Sequence, residues 1–320
     1  MYKKLKIKLY ISFFILITIF SSLTVNGQAS IASDKNANKD AADSVHLVID
    51  NLNYEKLPSH FRTTSNISIL ENKNLNTKGL KDLNISGSQQ FSKLNIDIVK
   101  KSINTTLPII DIDLRQESHG FANGLPISWA NYHDNSNKGL SRDEVLLKEK
   151  KDLQSIKLNK PLTFYNHPEI TINPTNVENE SKLAKDNSLG YIRVTVTDGA
   201  LPTPDMVDFF IKNVLSSPKN SWFHFHCKEG IGRTTTFMIM YDMMRNYKYA
   251  TAEEIIDRQI SLVTFTEKNI EGLHSDKRLT FFNKFYEYCK ENGDDFKTTY
   301  SEYLKKTANS HMENHVAILI

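Results

Sequence analysis

The order of apolar and amphipathic segments predicts an α/β protein. Three β-branched runs read as buried strands, helical patterns lie between and after them, and a Gly-rich turn joins the last strand to an almost wholly apolar helix. The strands are "PIIDIDLR" (108–115), "GYIRVTVTD" (190–198) and "SWFHFHC" (221–227). Between the last two, "PTPDMVDFFIKNVLSS" carries Pro202 and Pro204 where a helix opens. Its apolar stripe is Met206, Phe209, Phe210 and Val214. "TTTFMIMYDMMRN" is apolar nearly all round and reads as a central buried helix. "TAEEIIDRQI" starts with a Thr251/Glu254 capping box. An amphipathic helix is expected over 276–291 and a last one in "KTTYSEYLKKT".

The N-terminus differs from the rest. Residues 1–28 combine Lys3, Lys4, Lys6 and Lys8 with an apolar run over about residues 9–25, the plan of a secretory signal peptide. An uncleaved membrane anchor is the alternative, since the run approaches spanning length. A polar tether is expected over 29–48 and a globular catalytic domain over 49–320. Without the leader the formal charge of +3 falls to about −1, which excludes a broad basic face for nucleic acid. Any anion site must then be a local concentration of charge. Exported chains can pair cysteines, but Cys289 in "FFNKFYEYCKEN" reads as a small buried hydrophobe on a helix, not as a partner for Cys227.

The chemistry concentrates in "HCKEGIGRT", between a predicted strand and a predicted helix. Cys227 and Arg233 stand six positions apart, with Lys228, Glu229, Gly230, Ile231 and Gly232 between them. That spacing lets successive backbone amides turn inward as a nest for an oxyanion, and the next helix aims its N-terminus at the same point. The same amides and the arginine favour a thiolate, which is the nucleophilic form. Gly230 and Gly232 supply the freedom for a tight turn. Arg233 can grip two phosphoryl oxygens in a fork that lysine cannot copy. Thr234 is placed to hydrogen-bond the sulfur, and His226 to brace the loop from behind. The bland alternative is a buried strand-end thiol beside a surface arginine.

A thiolate that displaces an alkoxide needs an acid for the leaving oxygen. Asp198 ends a predicted strand whose tip should open on the same sheet edge as Cys227. Spacing alone leaves Asp198 open between that acid and a turn-capping residue.

The chain resembles the cysteine-dependent protein tyrosine phosphatase superfamily, and within it the bacterial tyrosine-phosphatase-like inositol polyphosphatases, or cysteine phytases. The matching stretches are "LPSHFRTTSN" (57–66), "SGSQQFS" (86–92), "DIDLRQESHGFANGLPISW" (111–129), "TDGALPTP" (197–204) and "HFHCKEGIGRTTTFMIMYDMM" (224–244). The resemblance implies a phosphatase-like core, a central sheet flanked by helices, with a small β-rich accessory domain. It implies Cys227 as nucleophile, Arg233 as phosphoryl-binding residue and Asp198 as acid. It also implies that Arg62 and Asp113 reach the substrate pocket, while Arg115 and His119 read as structural. Where such enzymes usually carry an aromatic after the acid, this chain has "GALP". In "TFTEKNIEGLHSDKR" the candidate pocket cations are Lys268, Lys277 and Arg278, with Lys268 taken into the expected site.

The expected activity is phosphomonoester hydrolysis of inositol polyphosphates through a phosphocysteine. The expected partner is a small polyanionic substrate; neither nucleic acid nor, once the leader is removed, a membrane is expected. No cofactor is expected, and no metal, because His224 and His226 flank a strand end without further recognisable ligands. The rivals are a protein phosphotyrosine phosphatase, whose pocket needs an aromatic wall, and a catalytically silent phosphate-binding module.

Overall fold

A computed structural model describes residues 44–317. The expected leader and most of the tether lie outside the described residues. The tether expected to reach residue 48 gives way earlier, because β1 (His46–Ile49) is already paired with another strand.

After β1 the chain forms β2 (Arg62–Thr63), β3 (Ile85–Gln89), α1 (Ile96–Ile103), β4 (Ile109–Arg115), β5 (His119–Ala122) and β6 (Leu125–Ala130). Next come α2 (Arg142–Ser155), β7 (Leu162–Phe164), β8 (His167–Ile172), β9 (Val177–Glu178), α3 (Glu180–Asp186) and β10 (Gly190–Val196). The chain continues through α4 (Pro204–Ser216), β11 (Trp222–Cys227), α5 (Gly232–Asn246), α6 (Ala252–Ile260), α7 (Glu267–Leu273), α8 (Asp276–Asn292) and α9 (Tyr300–Ala317). Among the described residues no helix is long and apolar enough to cross a membrane.

The central sheet has the order β10-β4-β11-β3-β2, parallel except for the edge strand β2. The predicted α/β class is therefore what folds, and the three predicted strands are β4, β10 and β11. A second, antiparallel sheet (β1-β6-β5-β9) and the hairpin β7-β8 form the β-rich accessory part, inserted largely between β4 and β10. Ile49, Ala122, Leu125, Ile127 and Phe164 make its own small core.

Alternation along the central strands gives the sheet two unlike faces. Ile110, Ile112, Leu114, Phe223, Phe225 and Cys227 belong to the apolar core, together with residues 237–241, 243 and 244 of α5. Asp111, Asp113, Arg115, His224 and His226 lie on the other face and are equally buried. A helix buried on every side needs close neighbours. β3 provides one because it is small: a Cβ on Gly87 would sit 2.6 Å from Met238 Sδ and 2.8 Å from Thr234 Cγ2. That contact explains why "ISGSQ" forms a central strand despite its weak strand composition. The Thr251/Glu254 capping box of α6 is present in both halves, and Pro204 stands in the first turn of α4.

Candidate active site

β4, β10 and β11 run parallel, so their C-terminal ends open on one edge of the sheet. The segments leaving those ends are gathered there: Glu117 after β4, Asp198 after β10, and the Cys227 loop after β11.

Cys227 closes β11 with 2% of its surface exposed. The Thr234 hydroxyl donates to its Sγ at 3.2 Å, as the sequence suggested. Three successive loop carbonyls are held from outside: Lys228 O accepts from Gln90 N (3.3 Å), Glu229 O lies 2.8 Å from His60 Nδ1, and Gly230 O accepts from Arg62 Nη1 (3.0 Å). In a trans peptide the N–H points opposite the preceding C=O. Pinning those carbonyls outward therefore turns the amides of 229–231 toward the loop interior. Gly230 has φ +72°, and a Cβ there would collide with the Ser88–Gln89 backbone, so no other residue fits.

Arg233 is 2% exposed and its guanidinium is oriented by protein groups. Nη1 donates to Glu117 Oε2 (2.7 Å) and Val196 O (3.0 Å), and Nη2 donates to Glu117 Oε1 (3.0 Å). Asp198 Oδ1 lies 2.9 Å from the same Nη2, with the Asp198 side chain 43% exposed. Arg233 Nε has no hydrogen-bond partner. Burial works to lower the arginine's pKa, but the charges of Glu117 and Cys227 outweigh it and push it up. Burial likewise works to raise the Glu117 carboxyl, and Arg233 and Arg115 hold it well below the usual carboxylate range.

Glu117 is not among the residues the sequence points to. Nothing local in "DLRQESHG" says that a carboxylate just past a strand end meets a side chain 116 positions away. The available signal was that an arginine this deeply buried requires an anion.

Several expected residues stand elsewhere than anticipated. Arg62 is buried, and its guanidinium is part of the loop's scaffold, bonded to His60 O (2.8 Å), Gly230 O and Thr235 Oγ1 (2.9 Å). Its burial, only partly opposed by the Cys227 charge, brings its pKa down to about 10. It braces the loop instead of standing open as a free cation. Asp113 sits on the sheet's polar face, where Oδ2 meets Tyr191 Oη (2.7 Å), His119 Nε2 (3.1 Å) and Arg193 Nε (3.2 Å). It belongs to a buried ionic network that includes Arg115 and His119. His226 does not brace the loop: its ring lies on that polar face, with both nitrogens unbonded. Lys228 reaches sideways to Asp134 Oδ1 (2.7 Å), Glu229 is exposed, and Ile231 is half-buried at the start of α5.

Among the C-terminal cations the structure brings Arg278, not Lys268, to the loop. Arg278 Nη1 donates to Thr236 Oγ1 (2.6 Å), and Nη2 would lie 3.3 Å from a Cβ on Gly232. Burial lowers its pKa against the opposing charges of Asp198 and Cys227, which places all three in one electrostatic neighbourhood. Lys268 and Lys277 are exposed.

The PTP-like phytase family model, described by the term "Inositol hexakisphosphate", matches residues 112–245. A solved PTP-like phytase from Bdellovibrio bacteriovorus is 30% identical with a TM-score of 0.67, covering 81% of this chain and 94% of its own. The chain belongs to the PTP-like phytase family. The PTP-like myo-inositol phosphatase of Mitsuokella multacida, solved in complex with myo-inositol-(1,3,4,5)-tetrakisphosphate, superposes with a TM-score of 0.74 at 30% identity. That alignment covers 82% of this PTP-like phytase chain and 48% of the Mitsuokella chain, whose phytase is tandemly repeated. Effector protein hopD2 of Pseudomonas syringae pv. tomato is 30% identical over 297 residues, 84% of this chain and 62% of that protein. The chain thus spans about half to three fifths of the length of these two relatives.

Proposed function

We propose that the protein hydrolyses phosphomonoesters of inositol polyphosphates through a phosphocysteine. The observation that carries this is the convergence on one guanidinium: Arg233, six residues after Cys227, is gripped by Glu117 and touched by Asp198 Oδ1 at 2.9 Å. Arg233, Cys227 and Asp198 lie at one sheet edge, which supports reading them as anchor, nucleophile and acid.

In this reading the Cys227 thiolate attacks phosphorus in line, forming an S–P bond as the P–O bond to the inositol breaks. Asp198 gives its proton to the departing alkoxide, which leaves as the alcohol. Water then attacks the phosphocysteine, Asp198 takes a proton from it, and inorganic phosphate departs with the thiolate restored. The loop amides and Arg233 hold the equatorial oxygens throughout, before and during the charge shift. Arg278 beside the loop supports a substrate that carries further phosphates next to the one being cleaved. The inositol tetrakisphosphate bound by the Mitsuokella relative supports the same substrate class.

The test is phosphate release from inositol hexakisphosphate by the chain lacking its leader, beside Cys227→Ser and a phosphotyrosine peptide. Release from the inositol substrate that vanishes in the serine variant is the expected result. Release from the peptide alone would transfer the function to protein phosphatases, and silence on both would leave a phosphate-binding module. Export through the lysine-flanked leader is part of the proposal, and N-terminal sequencing of the mature protein checks it.

A further inference from the structure

Behind Cys227, on the polar face of the central sheet, three side chains from three elements converge. Asp111 comes from β4, His226 from β11 and Glu180 from the start of α3, and all three are buried. His226 Nε2 stands 3.4 Å from Asp111 Oδ1 and 3.3 Å from Glu180 Oε1. Neither contact is a hydrogen bond: among the described residues both Asp111 oxygens and both His226 nitrogens have no hydrogen-bond partner. Buried polar atoms are almost always satisfied, so four orphans in one cluster demand a guest.

The spacing says what kind. A water accepting and donating bonds of about 2.8 Å would hold its tetrahedral partners about 4.6 Å apart. A metal ion with bonds of about 2.0–2.1 Å holds its ligands about 3.3–3.4 Å apart, the separation of His226 Nε2 from each carboxylate here. Charge points the same way. Asp113 is balanced by Arg193 and Glu117 by Arg115 and Arg233, whereas among the described residues Asp111 has no arginine partner. Among the described residues Glu180 meets Gln90 Nε2 (2.9 Å), His119 Nε2 (2.9 Å) and His226.

We infer that Asp111, Glu180 and His226 form a binding site for one divalent metal ion of zinc's class. One imidazole and two carboxylates with ligand atoms within 4.8 Å of one another suit zinc better than magnesium or calcium, which prefer all-oxygen shells and more ligands. Asp111 Oδ2, equally unpartnered, is the donor left for a fourth position. His119 and Gln90 hold the Glu180 carboxylate in place from the second layer, as outer-layer partners of metal ligands commonly do. The ion touches neither substrate nor thiol. It ties β4, β11 and α3 together one residue before Cys227, so its effect is on folding and on the fixity of the strand end.

The test is metal content by mass spectrometry of the full chain, unfolded and refolded with zinc or with a chelator. Expected are about one zinc per chain, a clearly higher melting temperature for the zinc-refolded protein, and with cobalt(II) the visible absorption of a four-coordinate ion. Cys227→Ser must keep the metal, which separates this site from capture by the thiol, and Asp111→Asn must lose it. Absence of metal after refolding with zinc, with an unchanged melting temperature, overturns the inference and leaves a cluster that carries a proton on Asp111. Metal retained by Asp111→Asn, or lost from Cys227→Ser, overturns it as well. The refolding comparison stands even if Asp111→Asn does not fold.

Discussion

The two faces of the central sheet solve the same burial problem in opposite ways. Toward α5, β4 and β11 present Ile110, Ile112, Leu114, Phe223 and Phe225, and the contact is apolar packing that needs only shape. Toward the accessory strands the same two β-strands present Asp111, Asp113, Arg115, His224 and His226, and burial is possible only because almost every charge has a partner. Arg115 reaches Asp50 Oδ2 and Glu117 Oε1, both at 2.8 Å, and Arg193 reaches Glu149 Oε2 at 2.6 Å. The apolar face is tolerant and adds stability by area. The ionic face is intolerant: removing one partner leaves an uncompensated buried charge. The contrast explains why the loop arginine lies where it does. Arg233 is the end of a chain of alternating charges, Asp50–Arg115–Glu117–Arg233, that begins in the accessory part and ends at the loop.

Substitutions on and beside the two faces test this contrast, beginning with the one of greatest effect. Asp198→Asn removes the proposed acid at the edge above both faces. It should slow hydrolysis of inositol phosphates by about two to four decades while sparing p-nitrophenyl phosphate, whose leaving group needs no proton. Equal losses on the two substrates would make Asp198 a structural residue. Arg193→Met strikes the ionic face and should cost about 3–5 kcal/mol in denaturant unfolding, since it takes from buried Asp113 and Glu149 the arginine they share. A loss under about 1 kcal/mol would show that the network tolerates substitution as the apolar face does.

Glu117→Gln tests the end of the charge chain by its pH dependence. The Glu117 carboxyl is depressed below its ordinary 4.5, so its contribution is fully present above that value and fades as acid protonates it. The stability gap between the parent and Glu117→Gln should therefore be flat above pH about 5.5 and narrow below about 4.5. A gap that widens in acid would refute the pairing. Arg278→Ala should raise KM for inositol hexakisphosphate about tenfold, the loss of about 1.4 kcal/mol, and leave p-nitrophenyl phosphate nearly unchanged. Smallest of all, Ile112→Val on the apolar face should cost about 1 kcal/mol and no activity. A loss as large as that of Arg193→Met would erase the contrast between the faces.

Much of this is legible along the chain, and the parts that are not share a cause. The three strands, the buried α5, the capping box of α6 and the loop from Cys227 to Arg233 are written in local order, because periodicity, capping and loop spacing act over a few residues. Cys227, Arg233 and Thr234 fall where the motif places them, and Asp198 joins them because parallel strands open on one edge. β3 carries no strand signal of its own because its residues are chosen for smallness against α5, a requirement imposed by another element. Arg62 and Asp113 were expected in the pocket, yet one braces the loop and the other sits in the ionic face. Glu117 gives no local sign of its role, and Arg278 is one of several cations in its segment. His226 has no visible ligand partners in the sequence, since Asp111 and Glu180 come beside it from β4 and α3. The class of fold and the loop that joins Cys227 to Arg233 are therefore properties of the sequence alone, since they depend on neighbours in the chain. Which buried charge pairs with which is a property of the folded molecule. Coulomb and hydrogen-bond partners are selected by distance in space, across separations such as the 116 positions between Glu117 and Arg233.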